Sequence, residues 1–403
     1  MKKAITMILA LQLAITAFAQ TDNKITVGTI DSLQSKTLNE TRKIWVHLPA
    51  GAGKSAQKYP VVYLLDGNRF FVSTVGMIQQ LSATDVLPEM IVVGVLNTIR
   101  ERDLTPTKHT DDAFVEYSSL SFRATGGADD FLTFMEKELV PYIDSKYPTQ
   151  PYKLLIGHSF GGLTAMHALL NRTKMFNAYI CIDPSMWWDN LRYLETSKKI
   201  LAEKDLKGTA LYMGIANTMD QDDDLKKVLK DTAVLTRGIR AAFELDKFIS
   251  KQKKGPRYAS KYYPNDTHNS STLITVYDGL RFIFDGFQLH LDNKDVLDST
   301  VNFAQKIRNR YQHISKIYGY EVKPPENEIN TWGYRFLKRK QFKKAEGFFK
   351  MNAENYPQSF NVHDSFGDFY VEAGNKTKAI EEYTKALSIQ ENAATRSKLN
   401  KLL

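Results

Sequence analysis

The sequence predicts an α/β fold, a mostly parallel central sheet with helices on both faces, followed by a small all-α domain at the C-terminus. Three observations carry this expectation. Short continuous apolar runs alternate with amphipathic segments up to about residue 320. A Gly-x-Ser-x-Gly pentapeptide, Gly157-His158-Ser159-Phe160-Gly161, lies between one such run and a helical pattern. A 34-residue spacing of glycines, alanines and aromatic residues marks the last stretch of the chain.

Residues 1–19 read as an export signal rather than part of the fold. Lys2 and Lys3 give a basic start, residues 4–14 an apolar core, and Ala17-Phe18-Ala19 a small-residue cleavage site. The apolar run is shorter than the roughly 20 residues a membrane span requires, and no later segment reaches that length. A secreted or periplasmic protein, cleaved near Ala19 and with no membrane span, is therefore expected.

Residues 20–320 carry the alternation. Lys43-Ile44-Trp45-Val46-His47-Leu48 has the period of two of a strand, and Val61-Val62-Tyr63-Leu64-Leu65 is an apolar strand stopped by Asp66-Gly67. Met90-Ile91-Val92-Val93-Gly94-Val95 is apolar throughout, as in a strand buried on both faces of a parallel sheet. Residues 129–147 place Phe131, Phe134, Met135, Leu139, Tyr142 and Ile143 at helical spacing. Residues 153–156 read as the strand before the pentapeptide, residues 179–182 and 210–215 as two further strands, and residues 274–284 as a helix.

Beyond residue 320 the pattern changes. Gly333 and Gly367, Ala345 and Ala379, and Phe349 and Tyr383 are each 34 residues apart, with Pro357 closing the first unit. This period resembles tetratricopeptide repeats, each a helix pair. Two repeats seldom stand alone, so residues 321–403 are expected to pack on the preceding domain or on a helix over residues 297–317. They would serve as a cap that stabilises the first domain or as a groove for a protein or peptide partner.

Bulk composition narrows the function classes. A chain of 403 residues with 43% apolar and 25% charged content is that of a soluble globular protein with more than one core. The net charge of +9 is spread over both halves, and no basic aromatic array of a nucleic-acid module is present. Cys181, the one cysteine, lies in an apolar run, so no internal disulfide is possible and a buried thiol is expected. No His, Asp or Glu grouping has metal-ligand spacing, and no phosphate loop or dinucleotide fingerprint appears, so no metal or cofactor is expected.

The pentapeptide is where the chemistry is expected. Glycines on either side of Ser159 allow a sharp turn that leaves the serine projecting alone. A serine hydroxyl needs a base to take its proton, and His268 lies in a polar loop late in the chain, where such a base is presented. Backbone N–H donors for the developing oxyanion are expected at Phe160 and in the turn after Leu65, at Gly67 or Asn68. Trp187, Trp188 and Arg69 are candidates for contacting substrate at the strand ends.

These residues resemble a family. Tyr63-Leu64-Leu65-Asp66-Gly67, Arg102-Asp103-Leu104-Thr105-Pro106, residues 157–162, Asp183-Pro184-Ser185-Met186-Trp187-Trp188, and His268 with Tyr277-Asp278-Gly279-Leu280 resemble the α/β-hydrolase branch of esterase D, feruloyl esterases and enterochelin-type siderophore esterases. The resemblance spans about residues 25–290. It implies an α/β-hydrolase fold, an acyl-enzyme mechanism on a small-molecule ester, Ser159 as nucleophile and His268 as general base. Its usual acid position, a few residues after the strand at residues 211–215, holds Thr218, so Asp220 is the first choice. Asp183 and a serine–histidine pair without an acid are the competing readings. The family's frequent His-Gly is Asp66-Gly67 here, which leaves the second oxyanion donor open between Gly67 and Asn68. A catalytically idle hydrolase domain that binds a partner through its C-terminal repeats is the alternative to an esterase.

Overall fold

The computed structural model describes residues 24–53, 57–109 and 124–403; the expected signal segment 1–19 lies outside them. Eight strands, β1 (Thr29–Ser35), β2 (Glu40–His47), β3 (Tyr59–Leu64), β4 (Ile91–Val95), β5 (Thr149–His158), β6 (Ala178–Ile182), β7 (Ala210–Ala216) and β8 (Arg257–Tyr263), form one sheet. Its spatial order is β1-β2-β4-β3-β5-β6-β7-β8. The β1–β2 and β2–β4 pairs are antiparallel and the others parallel. From β3 the chain goes to β4 on one side and later returns to β5 on the other, so a crevice opens above the carboxyl ends of these strands, where open α/β sheets bind ligands.

Every residue of β3, β4, β6 and β7 is buried, because each strand presents apolar side chains to both faces. Val61, Tyr63, Val93, Leu155, Tyr179, Cys181 and Met213 face one apolar core. Val62, Leu64, Val92, Ile156, Ile180 and Tyr212 face the other. The alternation follows from the period of two in a strand, and the Cys181 thiol is fully buried.

Three helices matter for the crevice. α1 (Gly67–Ser82) follows β3 directly, α2 (Phe160–Asn171) follows β5, and α3 (Ser271–Ile283) follows the loop after β8. α1 was not anticipated, because Asp66-Gly67 reads as a turn; it is both the turn and the helix start. The helix expected over residues 129–147 is present as Ala128–Phe134 and Val140–Lys146, joined by a π-turn at Met135–Leu139.

A long helix, α4 (Phe303–Tyr318), is shared between two cores. Its first half buries Phe303, Ala304 and Ile307 among the C-terminal helices, and its second half buries Ile314 and Tyr318 on the sheet domain. The C-terminal helices α5 (Glu326–Lys338), α6 (Phe342–Asn355), α7 (Phe360–Glu372) and α8 (Lys376–Ile389) form two pairs offset by 34 residues. The spacing has a packing cause. A Cβ on Gly333 would lie 2.9 Å from the Phe349 ring, and one on Gly367 would lie 2.5 Å from the Tyr383 ring. In each pair a bare backbone lets an aromatic ring of the second helix approach closely. Ala345 and Ala379 are both fully buried.

Candidate active site

Three adjacent strands end in the same way. Asp66 after β3, Ser159 after β5 and Asp183 after β6 all have positive φ, at 52°, 60° and 40°, an unusual conformation for side chains other than glycine and one concentrated at functional turns. Each strand thus terminates in a strained polar residue at the mouth of the crevice. Ser159 has ψ −117° and is the N-cap of α2. The glycines around it are required sterically, since a Cβ on Gly157 would overlap the Gly161 carbonyl and one on Gly162 would lie 3.0 Å from Pro184 Cα. Ser159 N–H donates to Ile182 O at 3.0 Å, and Ser185 N–H donates to Ser159 O at 3.2 Å, which locks the elbow onto the end of β6. The Ser159 and Ser185 hydroxyls are 3.2 Å apart.

His268 lies in the turn between β8 and α3 and is half-buried. Its Nδ1 is 2.5 Å from Asp183 Oδ2. A carboxylate only accepts, so Nδ1 carries the proton and donates, leaving Nε2 free to act as a base. Asp183 is buried, and its other oxygen accepts the Ala216 N–H at 3.0 Å. The carboxylate is therefore fixed on both sides and aimed at the imidazole.

This geometry corrects the choice of Asp220. Asp220 is exposed four residues beyond β7, in a turn where its N–H donates to Asp223 Oδ2 at 3.1 Å. The end of β7 instead holds the histidine loop through Asn217 N–H to Asp266 O at 2.8 Å. A carboxylate at the tip of β6 reaches the ring, while one further along the β7 loop is carried away from it.

His158 is a site residue that sequence reasoning passed over. Its Nε2 donates to His268 O at 2.7 Å, and the two rings lie 4.5 Å apart. Phe70 packs edge-on against it at 5.6 Å. Burial, with the neighbouring His268 second, lowers its pKa to about 4, so His158 is neutral near pH 7. The only signal in the sequence is its place beside Ser159.

The first N–H groups of α1 and α2, at the helix starts Gly67 and Phe160, have no acceptor within their own helices, as at helix N-termini generally. Gly67 is packed so closely that a Cβ would sit 2.6 Å from the Gly94 carbonyl carbon, while Asn68 is exposed. Asp66 holds this turn: it is buried and accepts from Asn97 Nδ2 at 2.5 Å and from Arg100 Nε and Nη2 at 2.6 and 2.9 Å. Arg69 bridges the same turn to the histidine loop, donating to Asn269 Oδ1 at 3.2 Å.

The two tryptophans separate. Trp187 is half-buried with its ring 6.0 Å from that of Phe160. Trp188 is fully buried and donates its Nε1–H to Thr107 Oγ1 at 3.0 Å. Trp188 therefore belongs to the core, which corrects its assignment as a substrate contact. Among the described residues, no group of three or more His, Cys, Asp or Glu is placed to hold a metal ion, and no helix is long and apolar enough to cross a membrane.

Comparisons with known proteins identify the family. Residues 35–290 match the family described as "Putative esterase". The chain belongs to that family. It is a carboxylic-ester hydrolase with an α/β-hydrolase fold. The chain is 28% identical over 251 residues to the siderophore triacetylfusarinine C esterase of Aspergillus fumigatus, covering 57% of this chain and 83% of that protein. It is 28% identical over 245 residues to the ferri-bacillibactin esterase BesA of Bacillus subtilis, covering 55% of this chain and 84% of that one. The crystal structure of an IroE-like serine hydrolase from Shewanella oneidensis superposes with a TM-score of 0.66 at 31% identity, covering 81% of this esterase and 99% of that chain. An uncharacterised protein from Capnocytophaga ochracea, 21% identical with a TM-score of 0.58, covers 93% of this esterase and 99% of that chain and shares the fold.

Proposed function

We propose that this esterase is an exported serine hydrolase of siderophore esters, with Ser159, His268 and Asp183 as its catalytic triad. The observation that carries the triad is the 2.5 Å contact between His268 Nδ1 and a buried Asp183, on the strand next to the one that presents Ser159. As Ser159 Oγ bonds to the ester carbonyl carbon, His268 Nε2 takes its proton. Asp183 holds the imidazole in the tautomer that leaves Nε2 basic and stabilises the cation that forms. The N–H of Phe160 and one from the turn at Gly67 or Asn68 receive the oxyanion. The C–O bond of the ester then breaks, and the departing alcohol oxygen takes the proton from Nε2. Water attacks the acyl-enzyme by the same exchange, releasing the acid and returning the proton to Ser159 Oγ.

The siderophore reading is supported by two relatives, the siderophore triacetylfusarinine C esterase and the ferri-bacillibactin esterase. Trp187 beside Phe160 offers an aromatic face for the acyl group, and Arg69 adds a cation near the rim. The basic start, apolar run and Ala17-Phe18-Ala19 of residues 1–19 support export of the activity from the cytoplasm. The C-terminal helices act as a cap that stabilises the catalytic domain through α4.

Residues 20–403 and the Ser159→Ala variant should be compared on p-nitrophenyl esters from acetate to octanoate, methyl ferulate and a ferric catecholate trilactone. The expected result is Ser159-dependent turnover with the trilactone preferred. A preference for methyl ferulate would move the substrate to plant-carbohydrate esters. Absence of turnover on all of them would favour an idle hydrolase domain with a partner at its helical repeats.

A further inference from the structure

One guanidinium reaches both of the turns on which the proposed oxyanion site depends. Arg100 opens a short helical turn after β4. Its Nε and Nη2 grip the two oxygens of Asp66, the residue before Gly67. Its Nη2 also donates to His158 O at 3.3 Å, the carbonyl just before Ser159. Its guanidinium carbon lies 5.4 Å from the centre of the Phe160 ring. A single side chain thus touches the residue preceding one set of candidate donors and the two residues flanking the nucleophile.

The two turns are the ones that need holding. Asp66 and Ser159 both have positive φ, and each such backbone conformation costs on the order of 1–3 kcal/mol unless its surroundings enforce it. The candidate N–H groups are the first of α1 and α2, so their directions depend on how each helix leaves its strand. Oxyanion stabilisation depends on donors that are in place before the charge develops. A buried carboxylate is costly without partners, and Asp66, whose side chain is only 3% exposed, has its partners in Arg100 and Asn97. The Arg100 side chain is 27% exposed, so solvent and small solutes reach it.

We propose that Arg100 is a positioning residue for ester hydrolysis: through Asp66, the His158 carbonyl and the Phe160 ring it sets the separation of the two oxyanion-hole donors. Its charge is matched by Asp66, so its contribution is geometric. The proposal rests on the esterase reading.

The test compares Arg100→Ala, Arg100→Lys and Asp66→Asn with the wild type on a p-nitrophenyl ester. It measures kcat and KM, the inhibition constant of an aryl boronic acid that forms a tetrahedral adduct with Ser159, and rescue by millimolar guanidinium ion. Arg100→Ala should lower kcat by about 10- to 100-fold with KM within about threefold, and weaken the boronic acid to a similar degree. Arg100→Lys, which keeps the charge but not the two-pronged grip, should lose most of the same factor. Guanidinium should restore part of kcat to Arg100→Ala and none to Asp66→Asn. Unchanged kcat in both Arg100 variants, or a fall in kcat with boronic-acid affinity intact, would overturn the proposal. If Arg100→Ala fails to fold, Arg100→Lys decides by the same two readouts. A wild type without Ser159-dependent turnover would overturn the esterase reading as well, whereas an active wild type with indifferent Arg100 variants would overturn this proposal alone.

Discussion

Replacing Asp183 by Asn tests the triad assignment most directly, because the surroundings of this side chain dictate how an amide would sit. One carboxylate oxygen accepts the Ala216 N–H at 3.0 Å and the other faces His268 Nδ1 at 2.5 Å. An Asn must keep its carbonyl oxygen toward Ala216, since an amide NH2 there would oppose another donor. Its NH2 then faces Nδ1, which has to become an acceptor, and the imidazole proton moves to Nε2. In that tautomer Nε2 can no longer take the proton of Ser159. The expected loss in kcat is about 10⁴-fold with the fold retained, as is typical when a triad acid is turned into its amide. Asp183→Ala lacks the misdirecting NH2 and should lose no more than Asp183→Asn. Asp220→Asn, at an exposed turn, should stay within about twofold of wild type, as surface substitutions usually do. Steady-state kinetics on one p-nitrophenyl ester, with circular dichroism to check folding, measures all three. A large loss in Asp220→Asn together with a small one in Asp183→Asn would refute the reasoning.

Three further outcomes follow from the packing. His158 titrates near 6.5 when unfolded but at about 4 in the fold, chiefly through burial. Between these values the unfolded chain holds more protons, so this group destabilises the native state progressively as pH falls, by roughly 2 to 3 kcal/mol at pH 4.5. Urea midpoints at pH 7 and 4.5 should show a smaller acid loss for His158→Gln, and parallel losses would contradict this. Trp187→Ala should lower kcat/KM for aromatic acyl esters about tenfold relative to acetate. Trp188→Ala should instead cost about 3–5 kcal/mol of stability, so denaturation and acyl preference together separate the two rings. Phe303 is fully buried against Trp332, Phe336 and Phe348 at 5.0, 6.0 and 5.3 Å. Phe303→Ala should destabilise the C-terminal helices by about 3–5 kcal/mol, and deleting residues 321–403 should expose α4 and yield poorly soluble protein. A truncated chain with wild-type thermal stability would argue against the capping role.

Some of this was readable from the chain alone because the signals are local or periodic. The elbow at Ser159 is announced by its glycines, whose absent side chains make room for Gly161 and Pro184. The continuous apolar strands announce a sheet covered on both faces. The 34-residue spacing survives because Gly333 and Gly367 each admit an aromatic ring at an equivalent place. Tertiary structure alone decided the rest. Whether Asp183 or Asp220 meets His268 depends on which strand ends lie side by side and how far each loop carries its carboxylate, and no local pattern encodes that separation. Trp187 and Trp188 are adjacent in sequence yet one stays half-exposed and the other is fully buried in the core, because a one-residue step in a turn redirects a side chain. The convergence of Arg100, Asp66, His158 and Phe160 joins segments up to about 90 residues apart. Contacts of that kind are settled only when strand order brings the turns after β3, β4 and β5 to a common edge, where their charges and open N–H groups must satisfy one another.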